Sequence, residues 1–264
     1  MTRTPRQAPL RQRLRLALVL LSFLAFPLTL NFLSPYLIVV GAGQGVITGS
    51  FILFGVLFVA SLFVGRLWCG WLCPGAGMAQ VATWVNDAPF QAKRADRIKW
   101  VIWTPWILLI AGLAFSAGGY RLVDPLFQTE GGISVSEPSR YVVYFAVLAL
   151  FVGLAIAFGR RAGCHTVCWM APFMILGRSV RNRLGLPALQ LVTTPETCSR
   201  CRTCTINCPM SLPVDELVQT GRIEHPECIL CTTCADGCRK GTIVLTVARP
   251  PVDRPGFSSS SAKP

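Results

Sequence analysis

Histidine is nearly absent from this sequence of 264 residues: there are two, His165 and His225. Neither lies in an apolar run, which excludes a membrane b-type haem held by two histidines, and no CxxCH string is present for haem attachment. Acidic residues are also scarce, 12 against 25 Lys and Arg, for a formal net charge of +13. From Leu16 to Gly65 there is no charged side chain at all. Helices buried in a soluble core do not leave so long a charge-free tract. No GxGxxG or Walker string occurs, so the glycines at 41–45 and 75–77 read as turns and not as a nucleotide site.

What the chain has in excess is cysteine, 12 residues. Eight fall into two copies of one spacing, Cys198-x2-Cys201-x2-Cys204-x3-Cys208-Pro209 and Cys228-x2-Cys231-x2-Cys234-x3-Cys238. This is the bacterial ferredoxin run, in which three cysteines grip one 4Fe–4S cube and the fourth crosses to the other. The spacing assigns Cys198, Cys201, Cys204 and Cys238 to one cluster, and Cys228, Cys231, Cys234 and Cys208 to the second. A zinc site needs only one CxxC pair answered by another, and the doubled run exceeds that need. The pattern implies a carrier of single electrons.

Mean hydropathy is +0.52 and only 14% of residues are charged, too apolar for an ordinary soluble domain. At about 20 apolar residues per span, the sequence predicts four transmembrane helices near 15–37, 46–66, 100–117 and 141–158. Basic residues gather in three places. They are the tail at 1–14 (with Arg15 beside it), the loop between the second and third spans (Arg66, Lys93, Arg94, Arg97, Lys99), and the segment after the fourth span (Arg160, Arg161, Arg178, Arg181, Arg183). The loop at 118–140 has only Arg121 and Arg140. Both termini and the middle loop are therefore expected in the cytoplasm, where thiols stay reduced. The positive charge is accounted for by topology and contact with anionic lipid, with no nucleic acid partner. No small-residue cleavage site follows the first apolar run, so it reads as an uncleaved anchor. The expected fold class is thus an α-helical membrane protein with four transmembrane helices plus a C-terminal bacterial-type two-cluster ferredoxin (α+β) domain. Its segments are a basic cytoplasmic tail at 1–14, a membrane domain at 15–158, an interfacial connector at 159–190, the ferredoxin domain at 191–248 and a disordered tail at 249–264.

Four cysteines remain. Cys69-x3-Cys73-Pro74 follows the second span and Cys164-x3-Cys168 follows the fourth. On helical backbone each i, i+4 pair would share one face, at the same cytoplasmic edge of the bilayer. The four thiols are candidates for a further metal or cluster, a dithiol relay or a transient metal-binding mouth; small apolar filler is the plain alternative. The strings Gly65-Arg66-Leu67-Trp68-Cys69 and Gly159-Arg160-Arg161-Ala162-Gly163-Cys164 suggest a duplicated two-span unit. His165 stands at the membrane edge as a candidate acceptor of a quinol proton, and His225 reads as a loop residue.

The order of spans, Leu67-Trp68-Cys69-Gly70-Trp71-Leu72-Cys73-Pro74, Cys164-His165-Thr166-Val167-Cys168 and the double cysteine run together resemble the NapH-type membrane ferredoxins, quinol dehydrogenase subunits associated with periplasmic nitrate reduction. The NosR, MauN and CcoG proteins are related polyferredoxins. The resemblance covers roughly residues 15–248 and departs at Trp169 and Arg239, where the family pattern has proline after cysteine. It implies a protein of the bacterial inner membrane that takes electrons from quinol and passes them through two 4Fe–4S clusters to another redox subunit. The alternative is a copper reductase or assembly factor using the CxxxC pairs, since soft thiolates suit Cu(I). Of the remaining polar residues, Asn31, Asp124 and Glu130 are candidates for a quinol site or proton exit. Trp68, Trp71, Trp100, Trp103 and Trp106 read as an interfacial aromatic belt. Ala171–Gly177 reads as a surface-lying helix, Asp215–Val218 as a helical turn and Thr242–Val247 as a closing strand.

Overall fold

A computed structural model describes residues 9–91, 95–130, 132–135 and 138–249. Arg3 and Arg6 of the basic tail, Lys93 and Arg94 of the middle loop, and residues 250–264 of the expected tail lie outside the described residues.

The first apolar run is not one helix. Helix α1 spans Leu10–Leu24, a single turn α2 spans Phe26–Thr29, and α3 spans Pro35–Gln44. Pro27 and Pro35 lack the N–H that a continuing helix requires, and Ser34 before Pro35 is extended (ψ 119°). The expected span at 15–37 is therefore corrected to three separate helices, the middle one a single turn. Residues 10–14, expected in the tail, are helical and docked. Arg11 pairs with Asp236, and Gln12 Nε2 donates to the Cys231 carbonyl at 2.9 Å.

Strand β1 (Val46–Thr48) takes the start of the second expected span, leaving α4 at Gly49–Val64. Thr48 caps α4 by accepting from Phe51 N–H, and Gly65 (φ 54°) ends it. Two short helices follow, α5 (Leu67–Trp71) and α6 (Pro74–Ala82). Helix α7 spans Ile98–Ser116, strand β2 Leu122–Asp124 and α8 Pro138–Phe158. β1 and β2 pair in parallel at the end of the bundle away from the cysteines. Four spans were expected. Among the described residues, two helices are long and apolar enough to cross a membrane, Ala95–Ser116 and Arg140–Phe158. At 16 residues, α4 reaches about 24 Å, short of a hydrocarbon core of about 30 Å.

Helix α9 spans Ala162–Thr166 and α10 Ala171–Leu184. The latter is not surface-lying: Ala171, Met174 and Gly177 are buried, and α10 packs along α4. A Cβ on Gly177 would clash with the Ser61 hydroxyl and the Phe58 carbonyl, so only glycine permits this approach. The ferredoxin part is a two-stranded antiparallel sheet, β3 (Ala188–Thr193) with β4 (Ile243–Ala248), and three short helices, α11 (Thr203–Ile206), α12 (Val214–Val218) and α13 (Thr233–Gly237). Its first strand starts inside the segment read as connector.

The junction between bundle and ferredoxin part is built from buried charge. Glu227 accepts from Arg66 Nη1 at 2.7 Å and Lys99 Nζ at 2.5 Å, and all three are at most 3% exposed. Arg66 also donates to the Pro226 carbonyl. Glu224 accepts from Arg178 and Arg181, and at the exposed edge Arg160 Nη1 donates to the Ile206 carbonyl at 2.6 Å. Basic residues read as topology signals are thus also the clamps that hold the two parts together.

Candidate functional site

Twelve free cysteines fall into three groups of four, each lining its own cavity. The first group is Cys198, Cys201, Cys204 and Cys238, at the surface. Cys201 is exposed, and hydrogen bonds from the Thr203 side chain and backbone hold its thiol down at about 7. Arg200, Arg202, Arg239 and Lys240 line the same cavity.

The second group is Cys208, Cys228, Cys231 and Cys234, all buried among Leu191, Met210, Ile223 and Ile229. Burial pushes Cys208 up to about 12 and also raises Cys228 and Cys234. The two loops share a backbone device. Arg200 and Arg202 have φ of 50° and 57°, and Leu230 and Thr232, thirty positions on, have 49° and 61°. Left-handed residues without glycine are costly. In a turn they draw successive N–H groups inward, forming a nest that suits an anionic group.

The third group, Cys69, Cys73, Cys164 and Cys168, lines a cavity with Arg66, Arg161, Phe151 and Trp169. The expected shared helix faces are not formed. Cys69 is in α5, but Cys73 caps α6 in extended geometry because Pro74 follows it. Cys164 is in α9, and Cys168 lies beyond its end. The two turns are nevertheless equivalent, displaced by 95 positions. Cys69 N–H donates to the Arg66 carbonyl and Cys164 N–H to that of Arg161. Leu72 and Cys73 both donate to Trp68, as Val167 and Cys168 do to Gly163. The helices cross over: α10, after the second turn, packs on α4, while α6, after the first, packs on α8. Arg161 Nη1 bridges the halves by donating to the Cys69 carbonyl at 3.0 Å.

Burial pushes Cys73 and Cys164 up, and Cys168 up to about 12; for Cys73 the neighbouring Cys69, Cys168 and Cys164 add to it. Arg161 Nη2 and Arg66 Nε are buried at this cavity with no hydrogen-bond partner among the described residues. Cationic donors left unpaired beside four thiols fit a site that carries negative charge when filled.

The third site meets the second group directly. Trp71 Nε1 donates to the Leu230 carbonyl at 3.2 Å, and Ile229 lines the third cavity. A Cβ on Gly70 would lie 2.5 Å from the Ile229 carbonyl oxygen. Gly70→Val should therefore push α5 off the cluster loop, lowering stability by about 1–3 kcal/mol. Thermal unfolding in detergent measures this loss, and an unchanged midpoint would contradict the close approach.

His165 does not line the four-thiol cavity. It is fully buried, its Nδ1 lies 2.6 Å from Asp96 Oδ1, and it stacks on Phe90 at 5.0 Å. Ligand atoms of Asp96, His165 and Glu227 lie within 4.8 Å of one another. Lys99 Nζ already contacts both carboxylates, at 2.5 and 3.8 Å, so this cluster is an ion network and not an open metal site. His225 is more than a loop residue, because its Nδ1 accepts from Glu227 N–H at 3.1 Å. Asn31 and Asp124 hold turns at the far end of the bundle. Asn31 Nδ2 donates to the Gln128 carbonyl, and Asp124 Oδ1 accepts from Leu126 N–H. Sequence reasoning missed Arg66, Arg161 and Glu227 as site residues; the recurrence of Arg three positions before each CxxxC pair was the available signal.

Residues 46–88 match the 4Fe–4S binding domain family, and residues 197–243 match the 4Fe–4S dicluster domain family. The first match covers α4 to α6 and holds only Cys69 and Cys73, half of the third site. YccM of Escherichia coli (strain K12), to which electron transport is ascribed, is 23% identical over 85% of this chain and 63% of its own length. NirI of Paracoccus denitrificans (strain Pd 1222) is 26% identical over 70% of this chain, but that is only 26% of NirI. An uncharacterized protein of Methanocaldococcus jannaschii is 23% identical over 73% of this chain and 77% of its own. No solved structure matches. Two 4Fe–4S domains and relatives that include YccM and NirI support a likeness to the NapH-like membrane ferredoxins, and the chain is an iron–sulfur electron-transfer protein.

Proposed function

We propose that this chain is the membrane-embedded electron-transfer subunit of a quinol dehydrogenase-type complex, with three iron–sulfur sites in a row. Cys198, Cys201, Cys204 and Cys238 hold one 4Fe–4S cluster, and Cys228, Cys231, Cys234 and Cys208 hold the second. Cys69, Cys73, Cys164 and Cys168 hold a further cluster. The observation that carries this reading is the order of burial, from a thiol cavity inside the bundle, through a buried quartet, to a quartet with an exposed corner. Each cavity offers four thiols, and the one carboxylate among the three linings, Asp215, is already held by Thr205 and Arg202, so the donor sets suit iron–sulfur groups. When bound, such clusters supply one-electron transfer over a range of potentials.

The chain's own residues do the rest. Arg66 and Arg161 turn unpaired N–H groups toward a thiolate-rich site, and Phe151 and Trp169 exclude water from it. Arg200, Arg202, Arg239 and Lys240 offer a positive rim to an acidic face of the next redox protein. A place in the bilayer is supported by the two long apolar helices, each only 11% buried over its apolar window; the core helix of a soluble protein would be mostly covered. With the basic residues gathered at the ferredoxin end, both termini face the cytoplasm of a bacterial inner membrane.

Iron and acid-labile sulfide counts on anaerobically purified protein test the third site. Wild type should hold more than the roughly eight irons of two cubes, and Cys69→Ser with Cys164→Ser should fall to about eight. Equal counts in both would refute the site. Copper retained there in place of iron and sulfide would instead favour the metal-reductase reading.

A further inference from the structure

Among the described residues, six Lys and Arg side chains are buried: Arg15, Arg66, Lys99, Arg161, Arg178 and Arg181. A buried cation is normally matched by a carboxylate. Four of the six are: Glu227 takes Arg66 and Lys99, and Glu224 takes Arg178 and Arg181. Arg15, 8% exposed, and Arg161, 3% exposed, have no carboxylate partner among the described residues, and both line one cleft of about 250 Å³. It lies where α1, α6 and the turn after α8 meet the ferredoxin part.

The cleft carries donors and no free anion. Arg15 Nε donates to Gln12 Oε1 at 2.8 Å, while its Nη1 is 3.5 Å from the Gly70 carbonyl, beyond the ordinary N–H···O range. Its Nη2 has no hydrogen-bond partner among the described residues, and it is not one of the donors sealed from solvent. Asp236 is reached only through Gln12 and already pairs with Arg11. Arg161 stands between this cleft and the four-thiol cavity, its Nη1 donating to the Cys69 carbonyl. The one carboxylate in the lining, Asp87, has both oxygens taken by Arg160, at 2.5 and 2.6 Å. Three arginines against one carboxylate leave an excess of positive charge around an open space.

We infer that this cleft binds a phosphate group, that of an anionic lipid headgroup, with Arg15 Nη2 as the main donor and Arg161 adding charge. Phosphate oxygens match the guanidinium fork and supply the anion that two buried cations lack. The lipid source follows from the rim and rests on the membrane placement given above. Each bundle segment that walls the cleft has an exposed apolar side chain beside its polar one. Leu14 precedes Arg15, Trp84 follows Thr83, and Phe158 comes two positions before Arg160, at 54, 79 and 62% exposed. Acyl chains lie against such side chains while the phosphate stays level with the arginines. Water alone would solvate the cleft but leave both charges without a counter-ion. A phosphate here also links the bundle to Asn207 and Thr233 on the ferredoxin side of the cleft.

The test uses the full chain with its clusters, freed of lipid in a neutral detergent and studied by native mass spectrometry. The probes are dioleoylphosphatidylglycerol, dioleoylglycerol (which lacks the phosphate) and inorganic phosphate. Wild type should keep one phosphatidylglycerol per chain and no dioleoylglycerol. Arg15→Gln removes the donor, and Gln80→Glu puts a carboxylate in the lining to occupy the arginines. Each should cut retention about tenfold with unchanged iron content. Should Arg15→Gln lose its iron, Gln80→Glu decides, because that exchange is isosteric. Equal retention in wild type and Gln80→Glu, or dioleoylglycerol kept as well as phosphatidylglycerol, would overturn the inference. Inorganic phosphate that binds wild type, fails on the variants and is not displaced by phosphatidylglycerol would keep the phosphate site and overturn lipid as its source, leaving the electron-transfer reading standing.

Discussion

Glu227→Gln is expected to lower the melting temperature of the chain by about 10 °C. Glu227 sits between Arg66 and Lys99, beside the first ligand of the second cysteine run. Burial alone would raise its pKa, but the two cations outweigh it and hold the carboxyl at about 2, against an ordinary 4.5. A depression of that size is worth roughly 3 kcal/mol, and at 2–4 °C per kcal/mol it gives the expected shift. Glutamine keeps the shape and removes the charge, leaving two buried cations uncompensated, the costly way to break a buried pair. The linkage has a definite sign. The contribution is fully present above the unfolded pKa near 4.5 and is lost as pH falls through about 2. Thermal unfolding in detergent should therefore show the wild-type advantage constant from pH 8 to 6 and shrinking below pH 4.5. Equal melting temperatures at pH 7 would show that the junction does not depend on this charge.

Cys208→Ala and Cys238→Ala should remove different clusters. Each cysteine closes its own run in sequence but lines the cavity of the other run in space: Cys208 with Cys228, Cys231 and Cys234, Cys238 with Cys198, Cys201 and Cys204. Loss of Cys208 should abolish the buried cluster and collapse the core formed by Leu191, Met210 and Ile229, because metal-ligand energy is folding energy. Loss of Cys238 should abolish only the exposed cluster and leave the buried one intact. EPR of the reduced proteins reads this directly as one lost signal in each variant, with iron falling by about four. If both variants lose the same signal, the crossed arrangement is wrong.

The cysteine runs were legible because a cluster loop is local: three ligands and their turn fit within seven residues, and spacing alone defines them. The junction was not legible. Arg66 and Glu227 are 161 positions apart, and a buried arginine carries the same letter as one facing lipid headgroups. Reading every basic residue as a topology signal missed the clamps. The broken first span was foreshadowed by Pro27 and Pro35, yet hydropathy counts apolar letters without asking whether the backbone can remain helical. The paired CxxxC turns lay between these extremes. Their repetition was visible, but the helix-face expectation failed at Cys73, where Pro74 forces extended backbone. Convergence of the two turns depends on α6 and α10 crossing to each other's span, which is a property of the fold.

The measurement closest to the central claim is an EPR-monitored redox titration of the anaerobically purified full chain in lipid. The account predicts iron–sulfur signals with potentials within reach of the quinol couple, two of them mutually interacting, and full reduction on adding quinol alone. Potentials far below that couple, with no reduction by quinol, would contradict it and turn the chain into an acceptor from a strong cytoplasmic donor.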